Sequence, residues 1–404
     1  MQSRRFPGAL VEGQFRRFVT STLLFGMAYQ LLLLAQGYTL FQFTESTAYL
    51  AALGAATGIP QVFTPLLAGH LNDRLPRKHL LLAGSTIMLA VTAAVAAVHG
   101  LGRLEPWHIL VAGFFHGALL GVDWTSRQAV LPATVSRERL VSGVAIDLGV
   151  FNLARVLAPL TGGAVLAAWG GSATYGVIAA LFAANVLVVA GLRMTPQVAR
   201  TGRAAIVRDM REALDAASRD PVIGINLAFT AVNGILLGGI VYLMPAFAKE
   251  TIATDERGLS WLFAALGVGA LAASAWLSVA GVARRAGMSL LVSNLAFAAA
   301  GAAFAFAGHI WAALALAVLA SLFNTVHISV GAAAIQLASN DELRGRVFGL
   351  YEVAWGAFPL GGLLLGLLAS VIDLRLALAT GAVGVAAFTI LVLVTAERVR
   401  ALRF

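Results

Sequence analysis

Residues 69–78 read GHLNDRLPRK and lie between two long, nearly all-apolar stretches. Asp73, Arg74, Arg77 and Lys78 crowd into this gap, although only 12% of the chain is charged. The flanking stretches set the class. Hydrophobic residues make up 59% of the chain and the mean hydropathy is +0.86, whereas a soluble domain is about 45–50% apolar. A water-soluble fold has no place for this excess, and a bilayer does. Each apolar run is about 20 residues long, the length that ~30 Å of hydrocarbon requires of a helix. The runs are rich in Leu, Ala and Gly and lack the alternation of a spanning β-barrel. The chain therefore reads as an all-α membrane protein, with the lipid bilayer as its surroundings.

The chain has no cysteine, which excludes disulfides and thiol chemistry. Its net charge of +9 fits loops that hold their side of a membrane better than it fits nucleic acid, which is not expected as a partner. The opening MQSRRFPGALVEGQFRRF is basic and polar. The apolar run after it is too long for the core of a cleavable signal and is expected to be the first retained span.

Twelve spans are predicted. The first six cover 18–42, 47–71, 79–99, 107–130, 141–168 and 172–193. The second six cover 222–247, 258–282, 288–308, 311–337, 347–370 and 375–396. Residues 1–193 and 222–404 would form two bundles joined by a linker at 194–221, whose RAAIVRDMREALDAASRDP has helical spacing suited to a membrane surface. Outside the spans, nearly every Arg and Lys falls on one side; Arg103, Lys249, Arg257 and Arg375 are the exceptions. That asymmetry predicts both termini and the linker on the cytoplasmic side. The two halves also repeat. ARVLAPLTGGAVLAA at 154–168 matches AWGAFPLGGLLLGLLA at 354–369, so that Pro159, Leu160 and Gly162 recur as Pro359, Leu360 and Gly362. Such duplication is a mark of carriers built from paired bundles.

With these features in place, the opening stretch resembles the hallmark loop of the major facilitator superfamily, between its second and third spans. Gly69, Leu71, Asp73, Arg74, Arg77 and Lys78 follow its order, and Pro76 departs from its usual glycine. SRQAVLPATVSRERLVSG (126–143), FNLARVLAPLTGG (151–163) and DELRGRVFGLYEVAWGAFPLGGLLLG (341–366) resemble the branch of transmembrane secretion effectors, which includes enterobactin and macrolide exporters. LAPLTGG, with Pro159, Gly162 and Gly163, is similar to the superfamily's antiporter signature, except that Ala158 replaces a glycine. The resemblance implies the major facilitator fold, with twelve transmembrane helices in two pseudo-symmetric bundles, in a bacterial inner membrane. It also implies that the loop latches one conformation, with Asp73 at the start of the eleventh span and Arg74, Arg77 or Lys78 reaching Asp123. The alternative is that these cations only hold the loop inside.

A charge within hydrocarbon costs at least ~2.5–3.5 kcal/mol and needs a reason. Arg155 lies deep in the fifth span on the face of Asp147; it either faces a cavity or pairs with Asp147. Asp123 and Arg127 are one turn apart, the spacing of a local ion pair. Glu352 could carry a proton or serve as a gate near the linker side. Gln30, Gln36, His116, Asn152, Asn233, Asn324 and His327 are neutral candidates for substrate contact, each also explicable as an interhelical hydrogen bond.

The function expected is a secondary active transporter, exporting amphipathic small molecules against protons by alternating access. An uptake symporter or facilitator, or a non-transporting membrane sensor, are the competing readings. An enzyme is not expected, because the chain shows no P-loop, zinc-ligand cluster or catalytic triad spacing. No metal or cofactor is expected, and a monomer is.

Overall fold

The computed structural model describes residues 9–193, 206–280, 285–339 and 341–403; within its helices, the side chains at 65–70, 72–74, 141, 206, 207, 209, 280, 341, 342 and 344 are not described. The first bundle comprises α1 (Gly13–Thr44), α2 (Thr47–Arg74), α3 (Arg77–Gly100), α4 (Pro106–Val130) and α5 (Leu140–Ala190). At 51 residues, α5 is far longer than one crossing needs. It divides at Gly170, where φ is 76°, a left-handed value that glycine adopts without strain. Its two arms are the fifth and sixth spans.

The linker helix α6 (Ile206–Arg219) precedes the second bundle. The seventh span is assembled from α7 (Pro221–Asn233), a π turn at Gly234–Gly238, α8 (Ile240–Ala246) and a second π turn at Phe247–Thr251. Then come α9 (Glu256–Ala280), α10 (Ala286–Ala305) and α11 (Ile310–Ala338). The eleventh span is broken into α12 (Asp341–Gly356) and α13 (Phe358–Ala369), and α14 (Leu374–Thr395) closes the bundle before the short α15 (Glu397–Arg400). Among the described residues, ten helical stretches are long and apolar enough to cross a membrane. The two arms of α5 count among them as one, and α2, at 28 residues, supplies the remaining crossing. The architecture is the twelve-helix, two-bundle fold expected.

Arg17 Nη1 donates to the carbonyl of Gly191, and Gln14 Oε1 accepts from the N–H of Arg193. The start of α1 therefore stands beside the start of the linker. Close to α15, a Cβ on Gly287 would lie 1.9 Å from the carbonyl oxygen of Val399. We call the side of the first contacts the linker face and the opposite side the far face.

The linker helix packs on the second bundle. Its Ala213 is fully buried, and Ala216 and Ala217 pack with Ile223, Leu227, Val347 and Tyr351. Glu212 pairs with Arg346 of α12. These alanines of α6 pack on the linker-side ends of the seventh and eleventh spans, because small alanines allow close helix packing.

Burial is distributed unevenly between the faces. On the far side, one apolar cluster joins the bundles: Leu34, Phe41, Leu50 and Leu166 of the first pack with Leu243, Phe247, Leu262 and Leu365 of the second. On the linker side, the described core is divided. One cluster, with Phe15, Phe18, Val130 and Val189, belongs to the first bundle, and another, with Ile223, Ile335, Val347 and Tyr351, to the second.

Candidate functional site

Two equivalent seams hold the bundles together. The fifth span packs on the eighth, and the eleventh on the second. These are the seams that an exchange of halves maps onto each other, and the repeated Pro and Gly residues lie on them. A Cβ on Gly54 would lie 2.7 Å from both Pro359 O and Leu363 N, and one on Gly267 would lie 2.8 Å from Arg155 O. Arg155 stands four residues before Pro159, whose ring removes the N–H that would bond that carbonyl. Gly267 of the other bundle packs against the group thus freed. Gly162 and Gly163 lie one turn further on, against Leu31 and Ser260, and Gly362 lies against Tyr242.

The two repeated prolines sit differently in their spans. The chain is broken before Pro359, at Ala357, whereas Pro159 lies inside a continuous helix. Near Pro359, Gly356 approaches the Gln61 carbonyl and Gly361 approaches those of Gly234 and Ile235, so backbones meet where the span breaks.

On the far face, polar contacts cross between bundles. Tyr38 Oη donates to Glu256 Oε1 at 2.5 Å, and Lys249 Nζ donates to Glu45 Oε1 at 2.7 Å. Lys249 holds the Glu45 carboxyl below its usual range. Deeper in, Thr57 Oγ1 donates to Tyr242 Oη at 3.1 Å. With the shared apolar cluster, these contacts seal the far side.

The first bundle contains a buried polar chain. Arg127 Nε donates to Asp123 Oδ2 at 2.5 Å, and its Nη1 donates to Ser21 Oγ at 3.0 Å. Ser21 donates to Asn185 Oδ1 at 2.7 Å, and Asn185 donates to Ser85 Oγ at 2.9 Å. The Arg127 guanidinium also lies 4.5 Å from the Phe25 ring centre. Of the loop cations whose side chains are described, neither Arg77 nor Lys78 meets Asp123. Instead Arg77 Nη1 donates to Ala129 O at 2.6 Å, and Lys78 Nζ donates to Ala190 O and Leu192 O at 2.7 Å each. The physical reason is that helix C-termini leave carbonyls unpaired and favour cations, and the ends of α4 and α5 are within reach. Gly69, Asp73 and Arg74 lie outside the described side chains, and with them the expected contact of Asp73.

Arg155 and Asp147 do not pair. They are two turns apart, about 12 Å along a helix. Asp147 Oδ1 accepts from Thr22 Oγ1 at 2.6 Å. Arg155 makes no hydrogen bond or ion pair with a described residue, and its charge lies within range of Tyr29. Glu352 reaches across the halves to the Trp124 side chain, a hydrogen-bond partner. Gln30 and Asn152 are half-buried without described partners.

Other candidates act as structural ties. Gln36 Nε2 donates to His116 Nδ1 at 3.1 Å, which leaves His116 Nε2–H to donate to Thr92 Oγ1 at 3.2 Å. Asn233 Nδ2 donates to Asn294 Oδ1 at 2.7 Å, and Asn294 donates to Thr389 at 2.8 Å. Asn324 and His327 line a cleft with Asn233 and with Asn226, a residue that sequence reasoning passed over. Asn226 lies seven positions before Asn233, two helical turns on the same face, and that spacing was the available signal. Nothing local marked Arg127 as a hub or Tyr38 and Glu256 as partners.

The comparisons with known proteins agree with this layout. The family model described as transmembrane secretion effector matches residues 9–402. The multidrug efflux pump Tap of Mycolicibacterium fortuitum is 25% identical over 349 residues, covering 80% of this chain and 82% of that protein. The enterobactin exporter EntS of Salmonella typhi is 30% identical over 351 residues, covering 79% and 78%. Among solved structures, a mutant of the nucleoside transporter NupG superposes with a TM-score of 0.72 at 17% identity, over 95% of this chain and all of that one, a likeness of fold alone. The chain is a multi-pass membrane transporter for a small molecule, not an enzyme, and it belongs to the transmembrane secretion effectors of the major facilitator superfamily.

Proposed function

We propose that this protein exports amphipathic small molecules by exchange against protons, residues 1–193 rocking against 222–404 about the two seams while 194–221 joins them. The linker face is cytoplasmic on this reading, as the bias of Arg and Lys favours, and the membrane is the bacterial inner membrane. The protein acts as a monomer, because the seams lie within one chain. Export is the activity named for the relatives Tap and EntS.

The observation that carries the reading is Arg155. A cation inside a span is costly, and this one stands at the seam between the bundles with no carboxylate holding it among the described residues. Such a group is suited to meet an electronegative part of a passenger and to lose that contact when the bundles rock. Asp147 and Glu352 are the carboxylates inside the spans, outside the Asp123–Arg127 pair, that can take and release a proton. The conformation described is sealed on the far side; on this reading the passenger enters from the linker face, when Glu352 and Trp124 part. Asp73 with Gly69, Arg74, Arg77 and Lys78 remains the proposed clasp of the opposite conformation.

Everted vesicles with an imposed pH gradient test this, offered lipophilic cations, macrolides and catecholate siderophores. Accumulation that collapses when the gradient is dissipated is expected; accumulation indifferent to the gradient would indicate a facilitator. Arg155→Gln should abolish or redirect transport without lowering the thermal unfolding midpoint, since Arg155 has no hydrogen-bond or ion-pair partner among the described residues to lose. A variant that transports as the parent does removes Arg155 from the account.

A further inference from the structure

Inside the second bundle, a cleft opens between the seventh, tenth and eleventh spans. We propose that it is a subsite for an aromatic ring bearing a hydrogen-bond-donating hydroxyl or amine.

The walls set that chemistry. Asn226 is only 2% exposed; its Nδ2 donates to the Val222 carbonyl at 2.7 Å, and its Oδ1 has no hydrogen-bond partner. A buried acceptor left in this state is expensive, and a ligand donor relieves the cost. His327 Nδ1 lies 3.0 Å from the Leu290 carbonyl, which can only accept, so Nδ1 carries the hydrogen. In the neutral ring Nε2 is then an acceptor, and no described residue donates to it. Phe229 holds the imidazole edge to face, 5.0 Å between ring centres. Asn324, three residues before His327 on the same helical face, adds an amide with no described partner. Asn233 is different, because Asn294 already satisfies it.

Opposite these groups stand Trp355 and Phe358, stacked with ring centres 6.2 Å apart and 28° between planes. Aromatic walls favour a flat apolar partner, and the acceptors ask that it bring donors. A bare anion meets acceptors here and is disfavoured. The bundles are thus complementary: the first offers the donor Arg155, the second offers acceptors. The transport role of this cleft rests on the reading above, whereas binding in it depends on neither coupling nor direction.

The test uses the purified full chain in detergent, with naphthol and its methyl ether as matched probes. They share one ring system, and only naphthol can donate. Naphthol is expected to bind roughly tenfold more tightly, the scale of one hydrogen bond to an otherwise unpaired buried acceptor. Asn226→Leu should reduce the preference to about twofold or less. Gly331→Ala is the second variant, because its added methyl would sit 2.8 Å from Asn226 Oδ1 and crowd the same corner. Equal affinities in the unmodified protein overturn the proposal, as does a preference that survives either variant. Vesicles that fail to transport, with the preference intact, would refute the exporter reading and leave the subsite standing.

Discussion

Replacing Tyr38 by Phe removes one hydroxyl from the far-side seal and nothing else of its bulk. That hydroxyl donates to Glu256 at 2.5 Å and ties the first span to the eighth. A hydrogen bond to a charged group contributes about 1.5–3 kcal/mol. Both residues are half-buried, and solvent screening reduces the figure to about 1–2 kcal/mol. The bond joins groups on different bundles and is lost entirely when the far side opens, so the whole amount moves the balance between sealed and open forms. At 1.4 kcal/mol per factor of ten, the open population rises roughly 5- to 30-fold. The absence of native cysteine makes this measurable. Ser260, 2% exposed beside Gly163 in the seal, can be replaced by the chain's only Cys and its reaction with an impermeant maleimide followed. When opening is rare and fast, the labelling rate tracks the open population, so Tyr38→Phe should accelerate it by the same factor. Glu45→Gln, which breaks a pair whose side chains are 70% and 55% exposed, should accelerate it much less. A rate within about twofold of the parent for Tyr38→Phe would refute the claim that this hydrogen bond holds the far side shut.

Two further substitutions probe the interior. Arg127→Leu strands Asp123, which is 1% exposed, and should cost about 3–5 kcal/mol and lower the thermal unfolding midpoint. Replacing Asp123 and Arg127 together by Leu should recover most of that loss, and a double variant no more stable than the single one would contradict it. Gly54→Ala sets a methyl 2.7 Å from backbone atoms of the other bundle and should abolish vesicle transport, whereas Gly84→Ala, with nothing within 4 Å of its new Cβ, should retain it.

The spans were legible because each is a local property of the chain. An apolar run predicted at 375–396 is helical over Leu374–Thr395, and the gap left at 169–171 contains the turn at Gly170. The repeat of Pro159 and Gly162 at Pro359 and Gly362 also pointed to the seams, since close helix packing selects small residues wherever it occurs. Within the candidate site, one-turn spacing paired Asp123 with Arg127 and placed Asn324 beside His327. The same reasoning aimed Arg77 and Lys78 at Asp123, and it left Asn226 unremarked.

Hydropathy and charge bias determined the class and the twelve crossings, because water and hydrocarbon act on every residue according to its own chemistry, and the internal repeat gave the doubling of the bundle. The three-dimensional packing decided which side is sealed, which carbonyls receive Arg77 and Lys78, that α6 packs on protein, and that Arg155 stands without a carboxylate among the described residues. Those are meetings between groups distant along the chain. Their partners are chosen by shape and by unsatisfied polar atoms that exist only once the helices are assembled.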